Sequence, residues 1–564
     1  MKLLYELRKK LGRPKGSIAR LTWERARLVH ILRSIAIQDE VIQARLVTRA
    51  RAIPREMLRC VSADEYCRLV ESKVEALHAP RGDPVGRASQ ASQARSPRLH
   101  YPLCMSDLRW PPRTQGPPQR CLEAWSLVPP SVSNCFPRLR ASVKSIAKWR
   151  PLLVLLPILP VYASIPVVLG PGGGQLGDEP VYLYYARALV HGHYAEAPSW
   201  SWISHGPGLP AVLTPLVAAH APILAARIFV GPVVLFCAVV VFFRVADMLL
   251  DRMRALVCAY LFAAYWPFLP LLRSIHNEPL TVLLVVALAH RIAVWSRSRR
   301  RRDVVITGVI LASLALVRVE FGYLLVLWIV IVAASLALRR RADVARYALA
   351  SSVLALILCI PYLAYTQSVT HRFFYWSGSG GAQLYWMDTG RSQDEGDWHG
   401  RQEVFTNPNL AAHRALFREI EARPPEDWDT ELQSAAFRNI RQHPLLYVRN
   451  LVLNDSRLVL NVPYSYKPIK WPSILFYGVA NLTLIVAAAL SLLAIRRRRQ
   501  PMPPMPLLLA WFSVTTFAIH TVVAALTQHL VPIVPALAAL ALYGVRFADS
   551  RRDRLCNDVG VSAT

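Results

Sequence analysis

The sequence predicts an all-α, polytopic membrane protein, and three observations lead to this fold class. Hydrophobic residues make up 54% of the 564 residues, which exceeds the ~45–50% usual in soluble domains. After residue 150, apolar runs of about 20 residues recur along the chain, and this is the length that crosses a ~30 Å hydrocarbon core. Arginine clusters separate the runs, and such clusters are typical of the cytoplasmic ends of membrane spans.

The first element, residues 1–148, is a basic extension that we expect to be cytoplasmic. Residues 2–78 are rich in Arg, Leu, Ala and Glu and predict roughly two or three basic helices. Residues 79–147 are dominated by Pro, Ser, Arg and Gln and cannot bury enough apolar surface to offset their ordering entropy, so we predict disorder. A regulatory or membrane-surface arm, a dispensable extension and an over-long gene start all remain open.

The apolar runs predict about ten transmembrane helices. They cover residues 151–170, 222–247, 255–272, 279–296, 304–319, 321–338, 344–366, 472–495, 506–526 and 530–547. Arginine-rich gaps alternate with gaps that lack such a cluster, so all positive clusters fall on one side of the membrane. Both termini are therefore predicted to be cytoplasmic.

This topology divides the rest of the chain. The predicted parts are a membrane module at 149–366 with a first outer loop at 171–221, a large outer loop at 367–470, C-terminal transmembrane helices at 471–548 and a cytoplasmic tail at 549–564. The large loop shows helical patterns near 409–421 and 429–442. Its acidic segment 394–399 is expected to be a solvated loop tip rather than a cation site.

The net charge of +30 raises the question of a nucleic-acid partner. After residue 150 the arginines punctuate apolar spans and form no face interleaved with aromatic residues, so we expect a lipid bilayer and no nucleic acid. The first outer loop has neither a Gly-rich nucleotide loop nor an Asp-x-Asp motif. No cofactor is therefore expected, and a divalent cation is possible but not indicated.

Asp178 and Glu179 are adjacent carboxylates that follow the first predicted span closely. Asp178 suits the N-cap of a helix with Pro180 in its first turn and Gly192 as its stop. It also suits a catalytic base at the membrane surface. Both interpretations stay open, and one residue can serve both purposes.

Arg318 ends the predicted span 304–319. An arginine at membrane depth costs about 2.5–3.5 kcal/mol, so it faces a partner or a polar cavity. A pair with Glu320 and a clamp on an anionic lipid phosphate are both open, since guanidinium geometry suits bidentate phosphate contacts.

Three further polar positions fall on the same predicted side. Arg273, His276 and Glu278 precede the span 279–296, where Glu278 also suits the positive end of the helix. Two interpretations of His205 remain: it is an ordinary loop residue, or it contacts the substrate.

From about residue 146 to 547 the chain resembles the GT-C superfamily of polytopic glycosyltransferases that use lipid-linked sugars. It is most similar to the bacterial branch with protein O-mannosyltransferase-like enzymes, aminoarabinose transferases and rhizobial lipopolysaccharide-core galacturonosyltransferases. The matching motifs are Asp178-Glu179 followed by Tyr and Ala-Arg-Ala, His205-Gly206-Pro207-Gly208-Leu209-Pro210, Asn277-Glu278-Pro279-Leu280, Leu316-Val317-Arg318, residues 377–386 and His443-Pro444-Leu445-Leu446-Tyr447.

The resemblance implies a GT-C-like bundle with two large outer-face loops in the bacterial inner membrane, with its active site facing the periplasm. It implies an inverting transferase that takes a sugar from a polyprenyl-phosphate donor. The acceptor would be a hydroxyl of an envelope glycan, a glycolipid or a protein.

The resemblance also implies roles for single residues. The family's general base corresponds to Asp178. In the mechanism that we expect, Glu179 orients Asp178 or the acceptor, and Arg318, with Arg273 or His276, stabilises the charge of the departing phosphate. The expected substrate-binding residues are His205, Glu278, Tyr182 and His529. Many relatives have Arg-Tyr-Leu where this chain has Gln528-His529-Leu530.

Two other classes remain as alternatives. A transporter or flippase for lipid-linked sugars would place polar residues near the bilayer midplane and show repeat symmetry. An O-antigen-type ligase or polymerase would place its essential residues in the large loop, around Arg372, Arg391 and His399, and would not need Asp178.

Overall fold

The computed structural model describes residues 151–172, 174–195, 203–338, 342–497 and 501–546. Every regular element in those ranges is helical, which confirms the predicted all-α class. The predicted extension at 1–148 and the tail at 549–564 lie outside the described residues.

Within the described ranges, 8 helices are long and apolar enough to cross a membrane, or 9 if one bent pair counts as a span. The 8 helices are Pro151–Val168, Ile223–Leu249, Glu278–Ser298, Glu320–Ala337, Ala342–Thr370, Trp471–Arg496, Pro504–Val522 and Thr527–Arg546. Each coincides with a predicted span. The chain is therefore a multi-pass membrane protein.

The other two predicted spans are less regular than the sequence suggested. The segment 255–272 is broken into Arg252–Ala263 and Trp266–Leu272, which meet at 52°, because the prolines of the second helix lack the N–H that would continue the ladder. The segment 304–319 corresponds to Arg301–Val317, a helix of 17 residues. At ~1.5 Å per residue it is about 26 Å long, which is at the short end of the range that spans a ~30 Å hydrocarbon core.

We number the α-helices in chain order. They are α1 Ile158–Val168, α2 Glu179–Val190, α3 Gly208–Ala218, α4 Ile223–Ile228, α5 Val234–Leu249, α6 Arg252–Ala263, α7 Glu278–Ser298, α8 Arg301–Val317, α9 Glu320–Ala337, α10 Ala342–Thr370, α11 Gly380–Met387, α12 Arg401–Thr406, α13 Arg414–Glu421, α14 Trp428–Gln442, α15 Pro444–Leu460, α16 Trp471–Arg496 and α17 Pro504–Val522. A π-helical turn joins α4 to α5, and the last span, Thr527–Arg546, begins with a 3-10 turn.

The main hydrophobic core lies among the long helices. Helix α7 packs against α5 and α8, and α10 packs against α8 and α9. Helices α2 and α3 pack against each other between the first two spans. They lie at the end of the bundle that carries Asp178, which we call the Asp178 end.

The large loop has a hydrophobic core of its own, built around Tyr385, Trp386, Phe417 and Leu432. The helical patterns predicted near 409–421 and 429–442 correspond to α13 and α14. Because these amphipathic helices close over the aromatic side chains, the loop forms a compact folded unit.

The acidic segment of this loop is not a solvated tip, and that prediction is wrong. Asp394, Asp397 and His399 are only 1%, 1% and 2% exposed. The reason is Arg457 on α15, which donates hydrogen bonds to the backbone carbonyl oxygens of Glu395 (2.8 Å) and Gly396 (2.6 Å). These bonds draw the segment into the loop interior.

Candidate active site

Asp178 occupies the N-cap position of α2, but its side chain makes no capping hydrogen bond. Its backbone carbonyl accepts from the amides of Val181 and Tyr182, at 3.0 and 3.1 Å. The carboxylate instead faces His205, with 3.6 Å between Asp178 Oδ2 and His205 Nε2, and the Asp178 side chain is 49% exposed. Of the two interpretations left open by the sequence, capping therefore does not describe this side chain.

The loop before α3 holds His205 in place. Nδ1 of its ring lies 2.8 Å from Ser204 Oγ, and its carbonyl oxygen accepts from the hydroxyl of Tyr194 at 2.6 Å. The Tyr182 ring packs edge-on against the imidazole, with centroids 4.9 Å apart. These contacts direct Nε2 towards Asp178.

Two glycines allow this loop to approach Arg318. A Cβ on Gly206 would collide with the carbonyl oxygen of Leu316, and one on Gly208 would lie 2.6 Å from Cγ2 of Val317. Since a side chain at either position would push the backbones apart, the glycines in the His-Gly-Pro-Gly motif are needed for the close approach. The motif thus brings His205 against the end of α8, where Arg318 follows.

Arg318 is buried between two carboxylates. Its Nε donates to Glu320 Oε1 at 2.5 Å, and its Nη1 lies 3.3 Å from Glu278 Oε1. Glu278 also lies 3.7 Å from Nδ1 of His276. Because the Arg318 side chain is only 5% exposed, it does not snorkel to the surface, although the pair with Glu320 exists.

His520 is a neighbour of Arg318 that sequence reasoning missed. Its Nε2 lies 3.8 Å from Glu320 Oε1, and its ring stacks on that of His529 with centroids 5.1 Å apart. An ionisable residue inside an apolar run is expensive and usually functional. That signal was present in the span predicted at 506–526.

The electrostatics link these groups into one cluster. Asp178, Glu278, Arg318 and Glu320 all act on the hydroxyl of Tyr182, whose pKa is raised well above its ordinary value, by burial first and then by the carboxylates, with Arg318 opposing. Contacts also connect Asp178 to the region of Arg318: His205 faces Asp178, and Gly206, the next residue, packs against Leu316, two residues before Arg318.

Three neighbouring histidines lower the pKa of Asp178. Burial alone would raise this pKa, but the hydrogen bond and charge of His205, with the charges of His276 and His529, outweigh burial and lower it to about 2. The carboxylate is therefore ionised throughout the physiological range.

Glu179 makes its contacts with groups outside this cluster. It is fully buried and ion-paired with Arg227, with 2.7 Å between Glu179 Oε1 and Arg227 Nη2. Its second oxygen accepts from the amide of Ile275 at 3.0 Å. Arg227 also binds the carbonyl oxygens of Gly172 and Gly174, so the pair fixes the segment that leads to Asp178. Sequence reasoning missed Arg227, a charge inside an apolar span.

Arg273 also lies outside the cluster. Its side chain is exposed, and its Nε donates to the carbonyl oxygen of Leu169 at 2.8 Å. The remaining predicted residues, His205, Tyr182, His276, Glu278, Arg318 and His529, are brought together with Asp178. Across the described ranges, no group of three or more His, Cys, Asp or Glu side chains has the geometry of a metal site.

The contacts between the large loop and the Asp178 end of the bundle include one beside His205 and one beside His520. Ser377 Oγ donates to the carbonyl oxygen of Ser204 at 2.8 Å, next to His205. Asn454 Nδ2 donates to the carbonyl oxygen of His520 at 2.7 Å. The loop therefore packs on both flanks of the cluster.

No protein-family model and no curated protein matches the chain. Among solved structures, it is similar to the archaeal oligosaccharyltransferase AglB from Archaeoglobus fulgidus in complex with an inhibitory peptide and a dolichol-phosphate. The identity is 12% and the TM-score 0.40, over 73% of this chain and 52% of that chain. It is also similar to the Archaeoglobus fulgidus oligosaccharyltransferase in complex with Zn and sulfate, at 13% identity and a TM-score of 0.39, over 72% of this chain and 51% of that chain. The chain thus spans about half the length of these structures.

Proposed function

We propose that the protein is an inverting membrane glycosyltransferase that moves a sugar from a polyprenyl-phosphate donor to an acceptor hydroxyl on the periplasmic face. The observation that carries the proposal is the Asp178 carboxylate, half exposed and within 3.6 Å of His205, on a loop that packs against the end of α8, where the buried Arg318 follows. The motif resemblance to the GT-C superfamily supports the same reaction. The acceptor is an envelope glycan, a glycolipid or a protein.

In the proposed reaction the acceptor hydroxyl attacks the anomeric carbon as Asp178 takes its proton. The bond from that carbon to the phosphate oxygen breaks, and its electron pair leaves with the polyprenyl phosphate. A carboxylate whose pKa is about 2 holds a proton poorly near neutral pH. His205 is therefore assigned as the group that holds Asp178 in place, and the proton passes from Asp178 to the water that reaches its half-exposed side chain.

Glu179 is a positioning residue in this scheme. Its ion pair with Arg227 lies fully inside the protein and fixes the loop before α2. The pair holds the N-terminal end of that helix, and Asp178 is the residue that begins it.

Arg318 receives the charge of the departing phosphate. Its guanidinium already contacts Glu278 and Glu320, and like charges close together are unfavourable. The phosphate therefore replaces at least one of these carboxylates as a partner of Arg318. His276, His520 and His529 lie beside the same carboxylates or Arg318 and supply hydrogen-bond donors.

The two alternative classes make different demands on the structure. A ligase or polymerase that depends on Arg372, Arg391 and His399 needs these side chains accessible, yet His399 is 2% exposed. A transporter needs a polar path near the midplane. The charged cluster described here lies instead at helix ends, at the first residues of α7 and α9.

The test is transfer of sugar from a polyprenyl-phosphate donor by the full chain in membranes, with glycan products measured by mass spectrometry. We expect Asp178→Asn to lower transfer by about 100- to 10,000-fold, the usual contribution of a general base. Unaltered transfer by this variant would refute the proposal.

Asp427→Asn is the matched control. The side chain of Asp427 is also 49% exposed and also faces a cation, Arg372, at 3.0 Å. We expect this variant to transfer at the rate of the unmodified protein. If both variants lose transfer equally, the effect of Asp178→Asn is not specific to the proposed base.

A further inference from the structure

A cavity lies at the Asp178 end of the bundle, between α2, α3 and α4. It has a volume of about 680 Å³, within the ~300–1,000 Å³ typical of ligand pockets. Its apolar wall includes Leu183, Leu216, Val217 and Ile223. The cavity is thus large enough for an aliphatic chain and lined suitably for one.

The rim of this cavity carries potential cations and no carboxylate. Arg187, His191 and His220 line it, together with Gln175. Arg187 is exposed, and none of the ion pairs in the described part of the chain involves it. An arginine with no carboxylate partner beside an apolar cavity suits an anionic head group attached to an aliphatic chain.

The cavity is separate from the site around Asp178. Leu183, Arg187 and Val190 follow each other at helical spacing on one face of α2, and Asp178 and Tyr182 lie on another. At 3.6 residues per turn the centres of the two faces are about 130° apart. A ligand in the cavity therefore does not share the position of the proposed donor.

The depth of the cavity fits a lipid. Ile223 and Ala226 line it, and both belong to the first turn of the span Ile223–Leu249. The cavity thus opens at the level where that span ends, which is where lipid head groups meet the hydrocarbon region. A soluble anion would make no favourable contact with the apolar side chains that line the cavity.

From these observations we infer that the cavity between α2, α3 and α4 binds a membrane phospholipid with an anionic head group, with its phosphate at Arg187 and an acyl chain against Leu216 and Val217. This inference does not rest on the proposed glycosyltransferase activity. A bound lipid at this place would brace α2 on the face opposite Asp178.

The test is native mass spectrometry of the full chain in detergent, after equilibration with phosphatidylglycerol or with phosphatidylcholine. We expect selective retention of phosphatidylglycerol. Arg187→Gln should weaken that retention about fivefold, the effect of the ~1 kcal/mol that one arginine contributes near an anionic lipid surface. Equal retention of the two lipids, or no change in Arg187→Gln, would overturn the inference.

Two further variants keep the result interpretable. Arg418→Gln is the matched control, because Arg418 is also an exposed arginine in the last turn of a short helix, and it should retain the lipid fully. Val190→Trp, at a rim position that is 42% exposed, should block the cavity and reduce retention while thermal unfolding stays unchanged. Retention that survives Val190→Trp, together with displacement of the lipid by inorganic phosphate, would indicate a soluble-anion site and contradict the inference.

Discussion

Two regions of the molecule contain carboxylate–histidine pairs, and their surroundings are opposite. In the large loop, Asp394 lies 3.1 Å from His413 Nε2, and the two side chains are 1% and 2% exposed. Asp394 also accepts from the hydroxyls of Thr389 and Tyr466. At the bundle end, Asp178 is 49% exposed, and among the described residues His205 is the only side chain within ion-pair distance of it.

This difference in exposure distinguishes a pair that stabilises the fold from a pair that can contact a substrate. A buried carboxylate that accepts several hydrogen bonds is fixed in position by its donors, and a substrate cannot reach it. A half-exposed carboxylate with one partner keeps acceptor capacity for a substrate hydroxyl. The same residue types therefore support the loop core in one region and the proposed reaction in the other.

The largest stability effect should come from Glu179, the buried neighbour of Asp178. Glu179→Gln leaves Arg227 without its counter-charge, so we expect the free energy of unfolding to fall by about 3–5 kcal/mol, measured by chemical denaturation in detergent. Glu421→Gln is the control, because Glu421 pairs with Arg401 at 2.5 Å but is 29% exposed. That change should cost at most about 1 kcal/mol. Equal losses in the two variants would contradict the distinction between buried and exposed pairs.

A substitution that moves the His205 loop should impair transfer without touching the cluster. Gly208→Ala forces the loop away from Val317, and we expect transfer to fall by up to about 100-fold, since a displacement of about 1 Å can cost that much. Gly380→Ala is the control, because a Cβ there would meet no described atom within 4 Å. If both alanine variants transfer equally well, the close approach is not required.

Asp394 should behave in the opposite way from Asp178. Asp394→Asn replaces an acceptor of buried hydroxyls by a donor, and we expect a loss of about 1–3 kcal/mol in the stability of the loop. Hydrogen exchange in α13 should report that loss, while the glycan product keeps its composition. A loss of transfer as large as that of Asp178→Asn, with unchanged exchange, would place the chemistry in the loop instead.

The smallest effect concerns pH. Because the Asp178 pKa is lowered to about 2, its ionised form stabilises the fold above the ordinary Asp value of about 3.9, and this contribution is lost only as the pH falls towards 2. Transfer should therefore show no inflection from Asp178 between about pH 4 and pH 7.

His205→Gln sharpens this prediction. The variant removes the hydrogen bond and charge that lower the Asp178 pKa, so an acid inflection should move upward in a pH–rate profile. An Asp178 pKa that is unchanged in His205→Gln would show that the two side chains are not coupled.

Much of the architecture could be predicted from the chain alone. Spans such as Ile223–Leu249 and Ala342–Thr370 follow from unbroken apolar runs, because crossing a hydrocarbon core requires only length and composition. The amphipathic patterns near 409–421 and 429–442 likewise predicted α13 and α14, since helical spacing is a local property. Residues Asp178, His205 and Arg318 could be selected because charged or polar side chains beside spans are costly.

Only the tertiary structure decided which partners these residues have. Arg318 and Glu278 are 40 positions apart and Glu179 and Arg227 are 48 apart, so no local pattern could join either pair. The same holds for the acidic segment that Arg457 draws into the loop core across 61 positions. The lengths of the apolar runs determined where the membrane helices lie. Packing between distant segments determined the surroundings of the two adjacent carboxylates: Asp178 faces solvent and His205, whereas Glu179 is buried in an ion pair with Arg227.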